Sequence, residues 1–132
     1  MNTTKNMKKN LTAAGLKNII TKTLKDHKAI DVLALNIKKL TDMADYMVIC
    51  TANSTTHVKT LIEKIRAELA LSHIKPIGIE GENTREWMLA DFGHVIVHVM
   101  LKPIREFYSL EELWGLNEVK KNRPRIKNAK KE

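Results

Sequence analysis

The residues best suited to chemistry gather in one run, WMLADFGHVIVHVMLKPIREFYSLEELW, from Trp87 to Trp114. It holds Asp91, His94, His98, Arg105, Tyr108 and both tryptophans of the chain. Asp91-Phe92-Gly93 matches the magnesium-binding triplet of protein kinases, but 132 residues are too few for a kinase. The Gly-rich loop, strand lysine and catalytic-loop triplet that accompany it are also absent. The triplet reads instead as a hairpin turn, with Gly93 at a backbone angle that other residues resist.

His94 and His98 have the spacing that would bring two zinc ligands together on a helix. They lie on an expected strand, where four residues span roughly 13 Å, too far for one metal with ligand bonds of about 2 Å. His57, His73 and the lone Cys50 show no metal spacing either. Cys50 ends an apolar stretch, where a small, buried, inert thiol is the common use. As a nucleophile it would need His57 brought to it. Gly78-Ile79-Glu80-Gly81 matches the GxxG loop that clamps phosphates in KH domains, but Glu80 and Glu82 would repel them, so a strand and turn are expected. No phosphate loop, dinucleotide fingerprint or nucleophile elbow is present. We therefore expect no metal, no cofactor and no catalytic residue.

Four positions keep more than one reading. His98 suits a satisfied core histidine, and a buried carboxylate, Asp91 or Asp45, could be its partner. Arg105 and Tyr108 can share a helical face, with Arg105 clamping Glu111 or Glu112 or meeting a partner. Trp87 belongs either to the core or to an interface. With aromatics only 5% of the chain, the group Trp87, Met88, Leu89, Phe92, Phe107 and Tyr108 could leave apolar area exposed, as interface anchors do.

These residues need elements to position them. Thr12 suits the N-cap of a first helix with an apolar stripe at Leu16, Ile19, Ile20 and Leu24. Residues 29–37 read as a strand with Leu33, Leu35 and Ile37 on one face. Tyr46 to Thr51 is a second strand, apolar on both sides. Asn53 or Ser54 can cap a helix whose stripe is Val58, Leu61, Ile62, Ile65 and Leu69. Pro76 to Glu80 is a short strand, and Gly81-Glu82-Asn83 a turn. Trp87 to Ala90 and Val95 to Leu101 form an antiparallel hairpin. The last strand is apolar on both faces, so it should be central. Pro103 stops it, and a helix is expected from Arg105 to Trp114. This order predicts an α/β single domain with a mixed, about five-stranded sheet flanked by helices.

One domain accords with the length, and 43% hydrophobic with 29% charged residues with a globular protein. One cysteine allows no internal disulfide and suggests a reducing compartment. No apolar run reaches the roughly 18 residues of a membrane span, and MNTTKNMKKN is too polar for a signal peptide. A cytoplasmic location and no membrane partner are expected.

The net charge of +8 divides unevenly. Residues 1–10 carry Lys5, Lys8 and Lys9 and no acid. Residues 116–132 carry Lys120, Lys121, Arg123, Arg125, Lys127, Lys130 and Lys131 against Glu118 and Glu132. The stretch between them holds 13 basic and 13 acidic residues. A neutral body with disordered basic ends, 1–10 and 116–132, is therefore expected. Such arms touch RNA phosphates more readily than they build a duplex-binding surface. An RNA-binding accessory protein acting through these ends is the alternative function.

The order and spacing of several short motifs together are specific. They are Ala44-Asp45-Tyr46, Ser54 to Lys59, Gly81-Glu82, Glu86-Trp87, Asp91-Phe92-Gly93, Val97-His98-Val99 and the ending from Arg105 to Trp114. Over residues 11–115 the chain resembles the ribosomal silencing factor family, RsfS or Iojap-like. The resemblance implies a fold like a reduced nucleotidyltransferase domain without that superfamily's catalysis. Asp91 agrees, because Leu89 and Gly93 stand where a second metal-binding carboxylate would be needed. It also implies docking on the large ribosomal subunit through its fourteenth protein, at the face where the small subunit joins. Such docking blocks association and represses translation when nutrients are scarce or growth has stopped. From the family pattern Trp87, Met88, Leu89, Asp91, Phe92 and Tyr108 are expected at that interface, fringed by acids such as Glu86 that complement a basic ribosomal protein. The basic tail adds an expected contact with ribosomal RNA. A homodimer is compatible with this reading.

Overall fold

The computed structural model describes residues 11–109. The expected basic ends, 1–10 and 116–132, and everything after Ser109 lie outside the described residues. Helix α1 (Ala13–Asp26) starts where the hydroxyl of Thr12 accepts the Gly15 N–H at 2.9 Å, satisfying one of the free amides of the first turn. It buries Leu16, Ile20 and Leu24. Strand β1 (Ile30–Asn36) loses register with its neighbour between Ile30 and Leu33, where Asp31 has a φ of 50°. Strand β2 (Tyr46–Ala52) is buried along nearly its whole length. Helix α2 (Thr55–Ala70) is capped by Ser54, whose Oγ accepts the His57 N–H at 3.1 Å. Its apolar stripe, Val58, Leu61, Ile62, Ile65 and Leu69, is entirely buried.

Strands β3 (Gly78–Glu80), β4 (Trp87–Asp91) and β5 (Val95–Leu101) follow, then helix α3 (Lys102–Tyr108). The five-stranded sheet has the order β1-β2-β5-β4-β3. Only β2 and β5 run parallel; the other pairs are antiparallel. The central place of β5 follows from its two apolar faces, which need cover on both sides.

Helix α3 begins earlier than the sequence suggested, at Lys102 rather than Arg105. Pro103 does not merely end the strand. It sits in the first helical turn, where its missing N–H would have no intrahelical partner anyway and its fixed φ suits the helix. Ser109, in the left-handed region, terminates the helix.

The two faces of the sheet differ. Helices α1 and α2 cover the face formed by Val48, Cys50, Met88, Ala90, Val95, Val97 and Val99, making the main core. On the other face a smaller cluster forms around Met47, Ile49 and Met100, covered by Ile37, Ala44 and, more loosely, Ile104 of α3. Cross-strand register lays this second face out in rows. Asp91, Ile96, Met47 and Leu35 form one; Leu89, His98, Ile49 and Leu33 form the next; Trp87, Met100, Thr51 and Ile30 form the third. It is the more open side of the molecule.

Candidate functional site

The hairpin that carries the site residues is held by short-range bonds. Asp91 Oδ1 accepts the Gly93 N–H at 2.8 Å, and the Phe92 N–H donates to the Val95 carbonyl at 2.9 Å. Gly93 has a φ of 90°, as its place in the turn required. Asp91-Phe92-Gly93 is thus a turn, and its carboxylate is occupied by backbone.

Successive residues of a strand point to opposite faces, and this divides the expected interface residues. Trp87, Leu89 and Asp91 lie half-buried on the open face, whereas Met88 is 0% exposed beneath the helices. Phe92 is buried in the same helical-side core. Tyr108, 48% exposed, arrives from α3 and packs on the Trp87 indole with ring centres 4.8 Å apart and planes tilted by 50°. Phe107, 79% exposed, meets the Tyr108 ring edge-on at 4.9 Å. Trp87, Leu89, Asp91 and Tyr108 therefore share the open side; Met88 and Phe92 support it from behind and offer almost no surface.

Carboxylates fringe this patch. Glu80 pairs in register with Leu89, which brings it to the same face, and Glu82 and Glu86 are exposed in the segment that leads into β4. Among the described residues none of these three is held in an ion pair. An exposed apolar centre with an acidic rim suits a basic partner.

His98 has a partner other than the expected carboxylates. The Trp87 Nε1–H donates to His98 Nδ1 at 3.0 Å. Asp91 is committed to Gly93, and Asp45 Oδ2 lies 3.1 Å from the Nδ1 of His94 at the exposed end of the hairpin. The pairing follows from register. Trp87 faces Met100, so His98 is its diagonal neighbour, within reach of an aromatic side chain. Burial lowers the His98 pKa from 6.5 to about 4. Between those values the unfolded chain takes up a proton here that the folded chain refuses. Stability is therefore expected to fall as pH drops from about 6.5 toward 4, by up to a few kcal/mol at this residue. Urea unfolding of wild type and His98→Asn across that range checks this. The wild-type curve should fall more steeply, and parallel curves would overturn the assignment.

Arg105 ties the end of the sheet to α3. Its Nη1 donates to the Asp31 carbonyl at 2.6 Å and to Thr51 Oγ1 at 3.1 Å. Glu111 and Glu112, considered as its partners, lie outside the described residues. Cys50 is fully buried, and burial pushes its thiol up to about 12. His57, its only considered base, uses both ring nitrogens elsewhere: Nδ1 accepts the Asn53 N–H and Nε2 donates to the His27 carbonyl, each at 2.9 Å. Cys50 should resist aromatic disulfide reagents in the native protein and react at a rate set by unfolding. Rapid native labelling would contradict this.

Among the described residues, no group of three or more His, Cys, Asp or Glu is placed to hold a metal ion, and no helix is long and apolar enough to cross a membrane. A family model described as "Ribosomal silencing factor during starvation" matches residues 10–132. The chain belongs to the ribosomal silencing factor family. It is 38% identical over 92 residues to ribosomal silencing factor RsfS of Chromobacterium violaceum, covering 70% of this chain and 75% of that protein. RsfS of Bacillus subtilis is also 38% identical, over 90 residues, covering 68% and 76% of the two chains. The crystal structure of a Chromobacterium violaceum protein aligns with a TM-score of 0.76 at 34% identity, covering 79% of this chain and 87% of that one. Membership of a silencing factor family carries a ribosome-associated regulatory theme.

Proposed function

We propose that this chain docks on the large ribosomal subunit through its fourteenth protein and sterically prevents the small subunit from joining. It would thereby repress translation in the cytoplasm under nutrient limitation or in stationary phase. The observation that carries the reading is the patch of Trp87, Leu89 and Tyr108 on the open sheet face, with Glu80 and Asp91 on the same face and Glu86 exposed just before Trp87. A half-exposed tryptophan backed by tyrosine is the type of anchor that contributes most to protein association. The acidic rim speeds encounter with a basic ribosomal protein. The chain acts here by occupying space, so no catalytic group is needed.

The test is sucrose-gradient sedimentation of purified ribosomal subunits under associating magnesium, with and without the protein. Comigration with the large subunit and loss of the joined particle support the proposal. Binding to neither subunit, or binding that leaves association unchanged, overturns it. If removal of residues 116–132 alone abolishes binding, the RNA-contacting ends carry the function instead.

A further inference from the structure

We propose that His98 is a positioning residue that locks the Trp87 indole, before any partner arrives, in the orientation that docking requires. The inference rests on the docking reading above and deepens it.

Donor and acceptor types fix which atoms can meet in this bond. An indole N–H can only donate. At 3.0 Å from His98 Nδ1 it therefore meets a nitrogen carrying a lone pair, which places the imidazole proton on Nε2. A protonated ring would have no acceptor to offer, and burial on the central strand keeps the ring neutral at physiological pH. The acceptor is immobile because β5 is hydrogen-bonded on both sides, to β2 and β4. Tyr108 closes on the indole at 4.8 Å, while His98 lies with its ring centre 5.9 Å away. The indole is held between a directional bond and a packed ring.

Two consequences favour docking. Rotamer freedom that Trp87 would otherwise lose on binding is already lost in the free protein, which is preorganisation. The N–H is also satisfied from within. When a partner covers the indole, no buried donor is left without an acceptor. The partner surface opposite Trp87 therefore need supply no acceptor, only apolar area and cationic groups for the rim.

The test uses the full chain and compares two polar variants. In His98→Asn the side-chain oxygen can take the place of Nδ1, so the acceptor stays. In His98→Gln an acceptor is present but one bond further out. In the free wild-type protein, nitrogen-15 spectra should show a through-hydrogen-bond coupling between the Trp87 indole nitrogen and His98 Nδ1, with the signal assigned by its loss in Trp87→Phe. Large-subunit binding should weaken about tenfold or more in His98→Gln and recover most of the way in His98→Asn. Combined with Trp87→Phe, which has no donor, the two histidine variants should bind alike. Absence of the coupling, or equal binding by wild type and folded His98→Gln, overturns the positioning role. Wild type that fails to bind large subunits while the coupling is present overturns the docking reading, and with it this use of the locked indole.

Discussion

Trp87→Ala is expected to weaken binding to the large ribosomal subunit by about two orders of magnitude while leaving the chain folded. Anchoring tryptophans at interfaces contribute roughly 2–4 kcal/mol on truncation, and each 1.4 kcal/mol is about tenfold in affinity. The substitution also removes the contact with Tyr108 and the donor to His98. Trp87 is half-buried rather than enclosed, so the stability loss should be about half the roughly 3–5 kcal/mol seen for fully buried aromatics. Binding should therefore be measured well below the melting transition, with circular dichroism confirming the fold. Leu71→Ala is the matched control. Leu71 is 72% exposed at the end of α2 and belongs to the helical layer on the opposite side of the sheet. It should bind as wild type does. Equal losses in the two variants, or none in Trp87→Ala, would remove the open face from consideration as the docking surface.

Much of the fold was legible because burial imposes a period on the sequence. The stripe from Val58 to Leu69 announces one buried helix face, and the structure buries each of its five residues. The two apolar faces of residues 95–101 announce a central strand, which β5 is. Strand alternation already separates Met88 from Trp87 and Leu89, so a single patch containing all three conflicts with a period of two. The Trp87–His98 bond was harder to read. It spans eleven positions and depends on which residues face each other across the hairpin, and a neutral histidine accepting from an indole leaves no charge pattern to notice. The reach of Arg105 to Asp31 and Thr51 spans 74 and 54 positions and needs the strand order first. Pro103 carried a local signal open to two uses, strand stop and helix first turn, and it serves both.

The turn before β4 makes a sharper demand on the sequence, and among the described glycines Gly81→Ala should have the largest effect of an added methyl group. Gly81 has a φ of 91°, where a side chain is strained by roughly 1–2 kcal/mol. A Cβ there would overlap the Trp87 carbonyl oxygen and come within 3.1 Å of the Met88 Cα. Those are backbone atoms of the site strand and cannot rotate aside. The start of β4 must move, carrying Trp87 away from His98 and Tyr108. We expect a loss of about 3 kcal/mol or more and a melting point lowered by more than about 10 °C. The remaining folded protein should also bind large subunits less well, because the indole is displaced. Gly93→Ala separates strain from overlap. Its φ of 90° is equally unfavourable, but the nearest atom to a new Cβ is the flexible Ile77 Cδ1 at 3.4 Å. Gly78→Ala meets nothing within 4 Å and should change stability by less than about 0.5 kcal/mol. Thermal unfolding should rank the three in that order, with Gly81→Ala lowest. If Gly81→Ala melts no lower than Gly93→Ala, the strand can absorb the displacement, and the turn does not set where Trp87 stands.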